Sequence, residues 1–272
     1  MSAQSVYTAG ACGLVALLLA PIGWMLLASL MPESRLFDSA VSGGGLALTL
    51  EHYRALFGER EFIVPVRNSL VVAGLTTLVA VPAAALCAYA LTRLPMRGKG
   101  ALLALLLAVS MFPQISVIAP LFLVLRELGL IDTYPGLVLP HVTFATPLAV
   151  WLLAGFLRQL PRELEEAAMV DGAGRLRAMR DVVLPLAAPA LASTAILTFL
   201  YSWNEFLFAL SFTLGPERQT VPVAIALFRG RYQVPWGQVL ASAVVATVPV
   251  ALIVLAFQRR IVAGLTAGAV KG

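Results

Sequence analysis

Residues 158–185 read RQLPRELEEAAMVDGAGRLRAMRDVVLP, a stretch dense in charge as far as Asp181. The runs on either side, 133–157 and 182–204, contain no Asp, Glu, Lys or Arg, and each is long enough for the roughly 20 residues a helix needs to cross a bilayer. A charged island between two such runs is a loop between membrane spans. Working outward, residues 1–32, 68–92, 100–125 and 232–258 are also free of charge. The reading is therefore an all-α membrane protein, one domain over 1–272, with six spans at about 8–31, 68–92, 101–125, 137–157, 186–212 and 238–258. Residues 158–185 form its longest inner loop and 259–272 a tail. The apolar patch 220–228 is too short to cross and carries Pro222, so it is read as a surface helix or loop.

Composition agrees. Hydrophobic residues make up 60% and charged residues 12%, with a mean hydropathy of +0.90, where soluble domains carry about 25% charged residues. The net charge of +5 is scattered in short clusters, which argues against nucleic-acid binding. Cys12 and Cys87 lie in apolar runs without metal-ligand spacing and are read as packing residues. No Lys or Arg precedes Arg35, so the first apolar run is expected to be a retained helix and not a cleaved signal peptide.

An even number of spans places both ends on one side, and the basic residues of short loops choose the cytoplasm. With both ends inside, eleven Lys and Arg fall inside and eight outside. The expected location is the plasma (cell inner) membrane with cytoplasmic termini. Prolines 82, 113, 120, 140, 147 and 249 sit within the spans; they mark either a transport path or ordinary kinks in packed helices.

Within the inner loop, Pro161 followed by Glu163, Glu165 and Glu166 is a helix start. Leu164, Ala167 and Ala168 form a face of small apolar residues, and Gly172 lets the chain turn out. A second helical stretch over 175–183 places Leu176, Met179 and Val183 on one side, and stops near Pro185. On the residues alone this is either a solvated hairpin on the membrane surface or a docking element for a partner.

The spacing is more specific than that. Glu166, Ala167 and Ala168, then Gly172, Val182, Leu184 and Pro185 resemble the EAA loop of ABC importer permeases, with Val182 where the family usually has Ile. Three further stretches, 67–70 (RNSL), 201–206 (YSWNEF) and 264–272 (GLTAGAVKG), are similar to the carbohydrate branch, the maltose- and trehalose-type permeases. The resemblance implies the type I importer permease fold. It also implies that the loop docks on an ATP-binding cassette dimer through Glu166, Ala167, Ala168, Asp171, Gly172, Leu184 and Pro185. Further implied partners are a second six-span permease and an extracytoplasmic sugar-binding protein, which would contact the outer loop 213–237. The chain carries no GxxxxGK[ST], GxSxG or HExxH. It is expected to be non-catalytic and without a cofactor of its own, with ATP and Mg in the partner ATPase subunits.

For the substrate path, a Glu within a span is a functional candidate by default. Glu205 is expected near the outer third of the fifth span, hydrated from outside, paired with an outer Arg, or hydrogen-bonded to Asn204. Gln114, an amide beside the break at Pro113, is the next candidate. Trp203 either stacks on a sugar or anchors at the interface, and His141 reads as a satisfied structural residue. Ser110, Ser116, Thr143 and Thr146 are more often bonded to their own helices. No span has Lys or Arg in its middle, which favours a neutral disaccharide such as trehalose or maltose. The alternatives are glycerol-3-phosphate or another polyol derivative on the same machine, or an ion-coupled secondary transporter or channel.

Overall fold

The computed structural model describes residues 3–36, 47–228 and 234–266. Gly43 to Gly45, Arg229 and Arg231, and residues 267–272 of the C-terminal motif lie outside them. The described residues contain helices and no strand. In chain order the helices are α1 (Ala3–Ser29), α2 (Glu51–Gly58), α3 (Ile63–Arg93), α4 (Lys99–Ser110), α5 (Gln114–Glu127) and α6 (Tyr134–Leu157). Then follow α7 (Glu163–Val170), α8 (Arg175–Ala178), α9 (Leu184–Leu186), α10 (Ala188–Asn204), α11 (Leu207–Phe212), α12 (Val221–Ala226) and α13 (Trp236–Thr266). Among the described residues four helices are long and apolar enough to cross a membrane, and six spans result if each of two bent helix pairs counts as one.

The first bend falls at the break read at Pro113, and the second falls at Ala187. α4 and α5 meet at 88° across Met111–Pro113, and the segment Arg175–Leu186 meets α10 at 77°. Pro113 explains the first break: proline pushes the residue before it out of helical conformation and donates no hydrogen bond. The fifth span, expected to run through 186–212, stops at Asn204 and restarts at Leu207.

The chain has two compact units, Met1–Ile63 with Ala224–Pro249, and Val64–Val223 with Val250–Gly272. In the first, Glu33 caps the start of α13, its two carboxylate oxygens each accepting a backbone N–H, from Trp236 and Gly237, at 2.9 Å. His52 Nε2 donates to the Met31 carbonyl at 2.8 Å. Gly237 is required there, because a Cβ would run into the His52 ring. Leu17 and Leu18 of α1 are 70% and 65% exposed, as suits a helix whose outward face meets lipid or protein.

In the second unit, one core gathers Ala84, Ala88, Ala149, Val150, Leu153, Met179 and Val183. Small residues let membrane helices pack closely where no hydrophobic drive distinguishes neighbour from lipid. A second core joins Val72, Leu137, Phe208 and Phe212, with the two Phe rings stacked at 5.8 Å.

Candidate functional site

At the break in the fifth span, α10 ends at Asn204 and Glu205 adopts an extended backbone (φ −68°, ψ 132°). Its carboxylate folds forward onto the next helix. Oε1 accepts from the Phe208 N–H at 2.8 Å and Oε2 from the Ala209 N–H at 3.1 Å, satisfying donors that a helix start leaves open. Oε2 also meets His141 Nε2 at 3.0 Å. On the far side of that ring, Nδ1 lies 2.7 Å from Ser202 Oγ. Neither an outer Arg nor Asn204 is the partner: Asn204 donates back to the Leu200 carbonyl at 2.8 Å. Glu205 is 6% exposed, so it is not hydrated from outside either. His141, fully buried, is satisfied by these contacts.

Beside this break lies a groove of about 570 Å³ lined by Gln114, Tyr201, Asn204 and Glu205 with Leu148, Leu197 and Phe206. Gln114 Nε2 donates to the Tyr201 hydroxyl at 2.7 Å, linking the restart of the broken third span to α10. Three of the four candidate path residues therefore meet. Trp203 does not join them: it is 3% exposed and stacks on Phe199 at 5.8 Å, so it neither faces a sugar nor stands at the interface. Tyr201, two residues away and on another face of the helix, takes the place in the groove. Ser110, Thr143 and Thr146 bond to carbonyls of their own helices.

The loop 158–185 has its own architecture. α7 ends in a Schellman motif: the Ala173 N–H bonds to the Ala168 carbonyl and the Gly172 N–H to the Met169 carbonyl, with Gly172 at φ +91°. Glu166, Ala167, Asp171 and Pro185 are exposed, Ala168 and Leu184 half-buried. The expected common face of Leu176, Met179 and Val183 does not form. Met179 and Val183, at the two ends of a π-helical turn, are buried, while Leu176 in the first turn of α8 is 74% exposed. Leu176 and Val170, 86% exposed, present an apolar surface beside the exposed motif residues.

Glu165 was not anticipated as a site residue. It is 5% exposed, accepts a short hydrogen bond from the Tyr89 hydroxyl, and pairs with Arg93 Nε at 3.5 Å. Arg93 Nη2 donates to the carbonyls of Leu157 and Leu160 at 3.0 and 2.9 Å, and Arg162 Nη2 to that of Thr92 at 2.9 Å. The loop is thereby fastened to the C-terminal end of α3. Three glutamates within four positions look alike in sequence, and only burial singles one out.

A family model described as the binding-protein-dependent transport system inner membrane component matches residues 80–266. The chain belongs to this family. The permease is 45% identical over 256 residues to the trehalose transport system permease protein SugB of Mycobacterium tuberculosis, covering 93% of each chain. It is 41% identical over 266 residues to the trehalose/maltose transport system permease protein MalG of Thermococcus litoralis, covering 97% of this chain and 95% of that one. Its fold matches a bacterial ABC transporter involved in the import of the acidic polysaccharide alginate, with a TM-score of 0.78 at 21% identity over 95% of this chain and 98% of that one. The permease is thus a non-catalytic, multi-pass inner-membrane subunit of an ABC importer, and the resemblance read from the sequence holds.

Proposed function

We propose that the permease forms, with a second six-span permease, the membrane path for uptake of a neutral disaccharide of the trehalose or maltose type. The observation that carries the substrate class is the groove at the break in the fifth span. It offers the Gln114 amide, the Tyr201 hydroxyl and the Asn204 amide, and no Lys or Arg lines it. The carboxylate of Glu205 is already committed to His141 and two backbone N–H groups. Neutral donors and acceptors flanked by leucines suit a polyhydroxylic ligand, whereas glycerol-3-phosphate calls for a cation. The two relatives named for trehalose and maltose point the same way.

A second permease is favoured by the break in the third span. Met111 and Phe112 are 83% and 53% exposed there, and irregular backbone at membrane depth persists only where protein covers it or water lines it. The breaks beside Gln114 and Glu205 are the natural moving parts of a gate. The loop 158–185 lies in the cytoplasm with both termini and docks on an ATP-binding cassette dimer through Glu166, Ala167, Ala168, Asp171, Gly172, Leu184 and Pro185. ATP and Mg belong to that dimer. A sugar-binding protein delivers the ligand to the outer face.

The test is reconstitution of the permease with its co-purifying subunits in proteoliposomes and measurement of ATP-dependent uptake of labelled trehalose, maltose and glycerol-3-phosphate. Saturable uptake of a disaccharide with no glycerol-3-phosphate transport supports the reading; the opposite preference overturns its substrate class. Recovery of this chain alone from its native membrane, folded and transporting without ATP, would favour a secondary transporter or channel.

A further inference from the structure

α3 runs unbroken over Ile63–Arg93, through Pro82, while the third and fifth spans are bent at breaks. Each end of α3 is fastened by buried side chains to a different loop. Near its start, Asn68 is fully buried. Its Nδ2 donates to the carbonyls of Glu217 and Gln219, both at 2.9 Å, and its Oδ1 accepts from the Tyr134 hydroxyl at 2.7 Å. The next residue, Ser69, accepts the Val221 N–H on its Oγ at 2.8 Å. Three bonds from two adjacent residues therefore grip 217–221, the stretch of the outer loop that follows the exposed Leu214.

At the other end, Tyr89 and Arg93 hold Glu165 of the inner loop. Asn68 and Tyr89 are separated by about 32 Å of helix at 1.5 Å per residue. A second unbroken helix, α6, is joined to α3 at both ends, through Tyr134 to Asn68 and through the Leu157 carbonyl to Arg93.

A helix clamped at both ends and doubled by an unbroken neighbour transmits displacement, because yielding at one end leaves the buried side chains of Asn68, Ser69, Tyr89 or Glu165 without partners. Broken spans can absorb motion; this pair is built to carry it. We infer that α3 is the strut that carries the docking of the binding protein on the outer loop to the ATPase-facing loop, with Asn68 and Glu165 as its two fastenings. Both are positioning residues. The inference rests on the importer reading and on the assignment of 158–185 to the cytoplasm.

The experiment uses the complete importer in nanodiscs and reads the ratio of ATPase rates with and without saturating trehalose-loaded binding protein. Asn68→Ala and Glu165→Gln are each expected to lower that ratio about fivefold or more. In the double variant the loss is expected to equal that of the more affected single and not to multiply, because one broken fastening already uncouples the strut. A reciprocal readout separates coupling from mere stability: the change in binding-protein affinity on vanadate trapping of the ATPase is lost in Glu165→Gln, although Glu165 lies at the opposite end. Ser69→Ala and Tyr89→Phe each remove one hydroxyl and decide the matter if the first pair fails to assemble. Full stimulation in an assembled single variant, or losses that multiply in the double, overturns the strut. A wild-type complex whose ATPase ignores the binding protein fails at the importer reading instead, a distinct result that removes the strut with it.

Discussion

Glu205 and His141 meet at 3.0 Å with side chains that are 3% and 0% exposed, although 64 residues separate them in the chain. This pair holds the break in the fifth span open. One carboxylate serves as cap for α11 and as partner for a buried imidazole, so the backbone leaves its helix at Glu205 and resumes it without stranding the Phe208 and Ala209 N–H groups.

Glu205→Ala removes both roles at once. Deleting the carboxylate strands the buried imidazole and two backbone N–H groups, at about 1–3 kcal/mol for each unsatisfied group. The assembled complex is expected to unfold at a clearly lower temperature, or the subunit to be degraded before assembly. Glu205→Gln keeps an acceptor for the cap and should lose less. An unchanged melting temperature for Glu205→Ala would mean that the pair does not secure the break.

In the groove, Gln114→Ala and Tyr201→Phe each delete one neutral hydrogen-bonding group. A net cost of about 0.5–1.5 kcal/mol per bond corresponds to a rise of roughly two- to tenfold in the KM for trehalose uptake. Trp203→Phe should leave the KM where it is, since the indole stacks on Phe199 away from the groove. Uptake kinetics in proteoliposomes would show whether the order is reversed.

Gly172 separates conformation from space. Its φ of +91° is left-handed, yet nothing lies within 4 Å of where a Cβ would stand. Within the isolated subunit the demand is on the backbone alone, and Asn tolerates that region better than Ala. Gly172→Asn should therefore retain more sugar-stimulated ATPase activity than Gly172→Ala. Gly172→Arg, which adds bulk at the docking surface, should abolish it while sparing membrane insertion. Equal losses from Asn and Ala would place the requirement in the partner's cleft and not in the turn.

Orientation is checked by labelling. In a background with Cys12 and Cys87 replaced by Ser, Arg180→Cys is expected to react with a membrane-impermeant maleimide only in inside-out vesicles, and Glu217→Cys only in right-side-out cells. Both parent residues are exposed. The reverse pattern would invert the topology.

Arg93 donates to two carbonyls through one guanidinium nitrogen while Nε faces Glu165. Lysine has a single ammonium and cannot reproduce that fork. Arg93→Lys is expected to loosen the inner loop, seen as faster tryptic cleavage at Arg175 or Arg177 in inside-out vesicles. Cleavage at the wild-type rate would show that the remaining contacts, Tyr89 to Glu165 and Arg162 to Thr92, suffice.

Much of this was legible in residues alone. The positions of the apolar runs follow from transfer free energies that are nearly additive along a chain, and the family was legible because the motif residues of 158–185 lie close together in the chain. The helix end at Gly172 was legible too, since a Schellman turn is local chemistry. Breaks were harder. Pro113 signals the first, but no residue type announces that α10 stops at Asn204, because what stops it is a carboxylate bound to an imidazole from another span.

The same limit applies to Glu165 and Asn68. Sequence by itself determined that the chain is helical and where its long apolar runs and charged loops lie, both of which depend on side chains meeting solvent or their near neighbours. Tertiary structure decided which of three glutamates is buried against Tyr89 and Arg93 and which asparagine holds the stretch 217–219. It also decided which aromatic faces the groove. Those outcomes depend on donors and acceptors brought together across 66 to 151 residues of chain, and a polar group in an apolar medium is fixed by whichever partner the fold delivers to it.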